Sequence, residues 1–247
     1  MRPVDIIRRV APHAMPAYVA AFDMGDSLFA KYGVNTPLRI GHFAAQCLSE
    51  TGGLTITREN MNYSAPRMLQ IFGVGHSSAA VRPEEAARLA HHPELIAERV
   101  YGLGSPHLAK DLGNTQPGDG FAFRGGGIFQ TTGRYNYRIM GQLCGVDFEG
   151  HPEWVLSAEH ALKPALGEWD RGKLNDFADK NDLLSISRVI NVGNALTTKM
   201  PNGYVDRRQW FNTVWPVVQG QTITLLDTPA VAAKGATEKV VSITPKD

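Results

Sequence analysis

Apolar residues recur at helical spacing in one segment after another, and the segments open at prolines or stop at glycines. Residues 14–32 carry Met15, Tyr18, Val19, Phe22, Met24, Leu28 and Phe29 and stop at Gly33, which predicts one helix. Pro37 opens the next, through Ile40, Phe43, Ala44, Cys47 and Leu48 to a Gly52-Gly53 stop. Ser64 reads as the N-cap of a short helix with Pro66 in its first turn, and Pro83-Glu84-Glu85 and Pro93-Glu94 start two more. Residues 102–127 read as Gly-rich loop, and helices resume at about 133–144, 157–170, 181–191 and 203–215. Strand-like alternation is scarce before residue 217, so the class is mainly α.

A chain of 247 residues can bury a full core. A formal net charge of +1 gives no global reason to expect nucleic acid as a partner. No apolar run approaches the roughly 18–20 residues of a membrane span. The start, Met1-Arg2-Pro3-Val4-Asp5-Ile6-Ile7-Arg8-Arg9, lacks the h-region and cleavage site of a Sec signal peptide. Cys47 and Cys144, the only cysteines, both lie in apolar helical contexts and are expected to be buried free thiols. The character shifts after Pro216. Residues 1–216 are expected to form the main domain, and 217–247 an extended tail with Thr222–Leu226 as a strand or arm. The stretch 230–236 is Ala-rich.

Glu50 and Glu59 bracket the Thr51-Gly52-Gly53 turn. Glu50 ends an apolar helical run, where burial would raise its pKa, and it is unfavourable against the helix dipole, so it is not there to stabilise the helix. Glu59 falls in Thr57-Arg58-Glu59-Asn60, where water and a cation would keep it ionised. Two carboxyls with separated pKa values suit glycosidic hydrolysis, in which an inverting pair stands about 6.5–9.5 Å apart. A nine-residue excursion can place Glu59 across a cleft from Glu50. The bland alternative is a helix-end surface residue and a solvated loop charge.

A second constellation is Gly125-Gly126-Gly127-Ile128-Phe129-Gln130-Thr131-Thr132-Gly133-Arg134-Tyr135-Asn136-Tyr137. Glycines let backbone approach a ligand, and Gln130, Thr132 and Asn136 offer amides and a hydroxyl suited to sugar groups or an oriented water. If 126–132 is extended, Gln130 and Thr132 share a face. Capping and turn chemistry is the alternative, with Thr132 capping the following helix. No Gly-Lys-Ser/Thr follows, which argues against phosphate binding. The histidines lack metal-ligand spacing, so no metal or cofactor is expected. His42 reads as a core or boundary residue, and Trp154, Trp169, Trp210 and Trp215 as core anchors. Tyr63, in the loop just after Glu59, is the aromatic assigned to the cleft.

Together these segments resemble glycoside hydrolase family 19, the chitinase and phage-endolysin group. The resemblance runs from Gln46-Cys47-Leu48-Ser49-Glu50-Thr51-Gly52-Gly53 and Glu59-Asn60-Met61-Asn62-Tyr63-Ser64-Ala65 through Gly118-Asp119-Gly120 and the glycine loop. It continues through Leu174-Asn175 and Ile190-Asn191-Val192-Gly193 to Asp206-Arg207-Arg208, covering roughly 36–215. It implies a lysozyme-like, two-lobed helical fold with a central cleft. It also implies Glu50 as general acid, Glu59 as general base and Thr132 as a holder of the attacking water. Gln130, Asn136 and Asn191 are implied to contact substrate, and Arg207 to support the carboxylates. The chain departs from the pattern at Leu48-Ser49, at Gly126 (a second arginine in the family), at Phe129-Gln130-Thr131 and at Val192. The expected activity is hydrolysis of β-1,4 bonds in peptidoglycan glycan strands, as an endolysin of phage or prophage type. Such an enzyme would be held in the cytoplasm until released to the wall. A bacterial chitinase, or a non-catalytic wall-glycan-binding relative, is the alternative.

Overall fold

The computed structural model describes residues 1–226, and they are helical without a single strand. Four helices lead to the first carboxylate: α1 (Pro3–Val10), α2 (Pro16–Met24), α3 (Asp26–Lys31) and α4 (Pro37–Glu50). The single helix expected over 14–32 is therefore two. At Gly25 a Cβ would lie 2.5 Å from a methyl of Leu162, so tight packing against that side chain sets the break. The N-terminal stretch, read only as lacking signal-peptide character, forms α1 and buries Val4, Ile6 and Ile7.

Then come α5 (Ala65–Phe72), α6 (Pro83–Leu89) and α7 (Pro93–Tyr101). Ser64 stands at the N-cap of α5 but its hydroxyl makes no capping bond. The region read as loop holds two short helices, α8 (Pro106–Leu112) and α9 (Asp119–Ala122). After α10 (Arg134–Cys144) comes a 3₁₀ turn at Pro152–Leu156, and the helix expected from 157 begins only at Leu162, as α11 (Leu162–Arg171). The unforeseen α12 (Leu174–Ala178) precedes α13 (Leu183–Val192) and α14 (Tyr204–Val218). Residues 219–226 are irregular and lie along the N-terminus, with the Thr224 amide bonded to the Met1 carbonyl at 3.0 Å. The Ala-rich stretch 230–236 lies outside the described residues.

Separate apolar cores make the lobes. The largest gathers α1 to α4 with α11 to α14 around Phe22, Phe29, Phe43 and Trp169. A second, in α5 to α7, centres on Met68, Phe72, Ile96 and Val100, and a third packs Phe123, Tyr137 and Phe148 beside α10. His42 is wholly buried, stacked on Phe211 with ring centroids 4.2 Å apart and bonded to Asn181 at 2.8 Å; burial pushes it down to about 4. It is a core histidine. Of the tryptophans, Trp169 is fully buried and Trp154, Trp210 and Trp215 pack against the cores. Cys47 is buried and Cys144 half-buried, both free.

The Gly118-Asp119-Gly120 motif has a packing role. Asp119 pairs with Arg134 at 2.5 Å and accepts the Thr115 and Gln116 amides, tying loop, α9 and α10 together. A Cβ on Gly120 would meet the Ala97 carbonyl oxygen at 2.4 Å, which lets α9 lie directly on α7. Gly120→Ala is expected to cost about 2 kcal/mol by overpacking. It would appear as a lower guanidinium midpoint at an unchanged slope; an unchanged midpoint would contradict the close contact.

Candidate active site

The first half of the site is built at the end of α4. Thr51, fully buried, closes the helix by donating its hydroxyl to the Cys47 carbonyl at 2.5 Å and accepting the Leu54 amide at 2.9 Å. Gly52, Gly53 and Leu54 then run at φ of +56°, +82° and +61°, a left-handed turn that reverses the chain. A Cβ on Gly53 would sit 3.4 Å from the Trp210 ring, so this turn is pressed onto α14. Glu50 is thereby presented to Arg207, in the first turn of α14. Arg207 is 3% exposed, and its guanidinium donates to both Glu50 and Gln46. Its Nε also reaches the Asn202 carbonyl at 3.3 Å, while the Asn202 amide donates to Asn191 Oδ1 at 2.8 Å. Asn191 is thus connected to Arg207 through one residue.

The second half forms around Gly125. A Cβ built there would lie 3.0 Å from Gln130 Oε1, 3.3 Å from Thr132 Oγ1 and 3.5 Å from Glu59 Cβ. Three separately predicted side chains meet over a glycine whose missing Cβ leaves them close room. The glycine loop is stitched to the Glu59 segment by the Glu59 amide to the Gly125 carbonyl at 2.8 Å and the Gly127 amide to the Thr57 carbonyl at 2.9 Å. The condition under which Gln130 and Thr132 would share a face, an extended 126–132, is not met. The segment 126–131 is a tight turn in which Gly126 and Thr131 pair, Gln130 adopts φ +50° and the Gln130 side-chain Nε2 donates to the Gly127 carbonyl at 2.7 Å. Thr132 donates its hydroxyl to the Gln130 carbonyl and does not cap α10, whose N-cap is Gly133; Asn136 binds back to the Thr132 carbonyl. Gly126, where the family pattern has arginine, has no space for any side chain: a Cβ would lie 2.7 Å from Tyr137 Oη and 3.4 Å from Arg58 Nε.

The environments of the two carboxyls are the reverse of those expected. Glu50 has a guanidinium against it, and its side chain keeps 20% exposure. Burial pushes the Glu59 carboxyl up from its ordinary value, opposed by a 2.9 Å hydrogen bond from the Tyr101 phenol, the Gly125 backbone and the Arg124 charge. The reason is tertiary: the polar string around Glu59 folds under α7 and the glycine loop. No hydrogen bond or ion pair joins the two carboxyls; each has its own partner.

Tyr101 is the site residue that sequence reasoning missed. It ends α7, far from Glu59 in the chain, and carries no local signal. Tyr63, assigned to the cleft, packs its ring edge-on to Phe72 at 5.6 Å and feels the Glu59 charge without bonding to it. Among the described residues no group of three or more His, Cys, Asp or Glu side chains is placed to hold a metal ion.

Tyr101→Phe removes a donor that favours ionised Glu59, so the Glu59 carboxyl should titrate at higher pH. Carboxyl-carbon NMR titration, with Glu59→Gln to assign the signal, checks this. A midpoint that stays or falls would contradict the role.

No family model matches the sequence. A protein of Haemophilus influenzae described as a glycosyl hydrolase family 19 domain-containing protein is 32% identical over 188 residues, spanning 75% of this chain and 84% of the relative. Among solved structures, chitinase C from Streptomyces griseus superposes with a TM-score of 0.57 at 16% identity, covering 89% of this chain and 77% of that one. A bacterial family 19 chitinase superposes with a TM-score of 0.55 at 17% identity, covering 89% and 96%. These likenesses carry the fold, which is the lysozyme-like helical architecture expected. By the extent and identity of the sequence match, the chain belongs to glycosyl hydrolase family 19, and it is a glycoside hydrolase.

Proposed function

We propose that the enzyme hydrolyses β-1,4 glycosidic bonds in peptidoglycan by inversion, with Glu50 as general acid and Glu59 as general base. The observation that carries the assignment of the base is the convergence at Gly125. The stem of Glu59, at its Cβ, and the Thr132 hydroxyl both lie close to Gly125, and we infer that a water held by Thr132 comes within reach of the Glu59 carboxyl. A raised proton affinity makes Glu59 a stronger base than an ordinary glutamate, which suits proton abstraction near neutral pH. Glu50, on the other element, is left to protonate the leaving oxygen. Its charge partner Arg207 holds the carboxyl in place on a buried anchor. Gln130, Asn136, Asn191 and Tyr63 are proposed as substrate contacts; Asn191 and Asn136 are also used to brace their own loops.

Peptidoglycan is preferred over chitin on the Asn-Tyr-Ser-Ala segment after Glu59, which is similar to that of bacterial and phage lysis members. Chitin is the second reading, favoured by the fold likeness to family 19 chitinases.

Glu50→Gln and Glu59→Gln should each lower kcat on glycan strands by about 10²–10⁴-fold without unfolding the protein. An aryl glycoside with a nitrophenolate leaving group needs no proton and should restore turnover to Glu50→Gln alone. Rescue of Glu59→Gln instead would reverse the two roles. The first-formed product should carry the α anomer, read by NMR immediately after cleavage, and a β product would refute inversion. Mass spectrometry of the new reducing ends, on permeabilised bacteria and on chitin in parallel, decides the polymer. Release of chitin oligosaccharides alone would overturn the peptidoglycan reading.

A further inference from the structure

A third carboxyl, outside the pair, opens into a cavity of about 240 Å³. Glu168, on α11, lines it together with Arg171 one turn further on, Leu174, Val189 and Ile190 of α13, and Gly193 just past the end of α13. No hydrogen bond from any described residue reaches the Glu168 carboxyl; Arg171 acts on it only at longer range. Burial, working against the Arg171 charge, pushes it up to about 7, so near neutrality the cavity holds a mixture of acid and carboxylate that an entering cation would turn to carboxylate.

The cavity adjoins the Glu50 half of the site. Its α13 wall belongs to the helix that accepts the Gln46 amide on Ser187 at 3.3 Å and the Asn202 amide on Asn191. The lining is poor in groups for a sugar ring, which needs many hydroxyl partners. It offers instead one acid, one exposed guanidinium and an apolar wall. An α-amino acid end has the complementary parts: an ammonium for Glu168, a carboxylate for the Arg171 fork and methylenes for Leu174, Val189 and Ile190.

We propose that this cavity binds the zwitterionic amino-acid end of the stem peptide carried on peptidoglycan strands, and so lets the enzyme read the peptide as well as the sugar. The proposal rests on the peptidoglycan reading above, since chitin carries no such group.

The test compares KM on glycan strands bearing stem peptides with KM on the same strands stripped by an amidase. Wild type should show a KM about tenfold lower on the peptide-bearing strands, the effect of one or two charge-assisted hydrogen bonds. Glu168→Gln and Arg171→Ala should each bring the KM ratio toward one while leaving the ratio of kcat values between the two substrates in place. Arg171 is exposed on the last turn of α11, so its alanine variant keeps the test open if the half-buried Glu168→Gln fails to fold. Equal KM values for wild type, or a ratio preserved in both variants, would overturn the peptide pocket and leave the peptidoglycan reading standing. Cleavage of chitin with neither peptidoglycan substrate cut would overturn both.

Discussion

Arg207 is the residue on which the site depends. Its guanidinium is buried, and a charge removed from water must find partners or unfold its surroundings. It finds Gln46 and Glu50 on α4 and the Asn202 carbonyl at the entry to its own helix. These bonds set α14 against α4 in one register, the pairing around which the largest core is assembled. The same bonds hold the first carboxylate. A structural anchor and a reacting group are therefore one cluster, and a change at Arg207 would be felt in both.

The second carboxylate depends on a different device. The loop from Gly125 to Gly127 lies where the lobes meet: Ile128 and Phe129 enter the α4 core, while Phe123 and Tyr137 on either side belong to the core beside α10. Backbone bonds from Gly125 and Thr57 then carry the Glu59 segment with the loop. Glycine at 126 follows from crowding, since Tyr137 Oη and Arg58 fill the space a side chain would need. Arg58 thus occupies part of the volume behind the loop. Its Nε is buried without a hydrogen-bond partner in the described residues.

Much of the fold was legible where a local rule had no competitor. Pro37, Pro83 and Pro93 open helices because proline's fixed φ and missing N–H suit a first turn, and the glycines after Glu50 end one because they accept positive φ. The misreadings share a cause. Gly25 breaks a continuous apolar pattern because Leu162 presses on it, and α8 and α9 form inside a Gly-rich stretch because Asp119 and Asn114 bind Arg134 and its neighbours. Neither Leu162 nor Arg134 is near in sequence to what it controls.

The sequence by itself determined which chemical groups are present and in what order: two glutamates around a glycine turn, an amide and a hydroxyl in a glycine loop, an asparagine and an arginine near the end. Spacing along a chain carries that much. Which carboxyl is buried and which is paired was decided only by the tertiary structure, and it came out opposite to the local polarity around each. Burial is a property of everything that packs over a group. Glu59 is covered by Tyr101 and the glycine loop, and Glu50 meets a guanidinium brought from a helix at the far end of the chain.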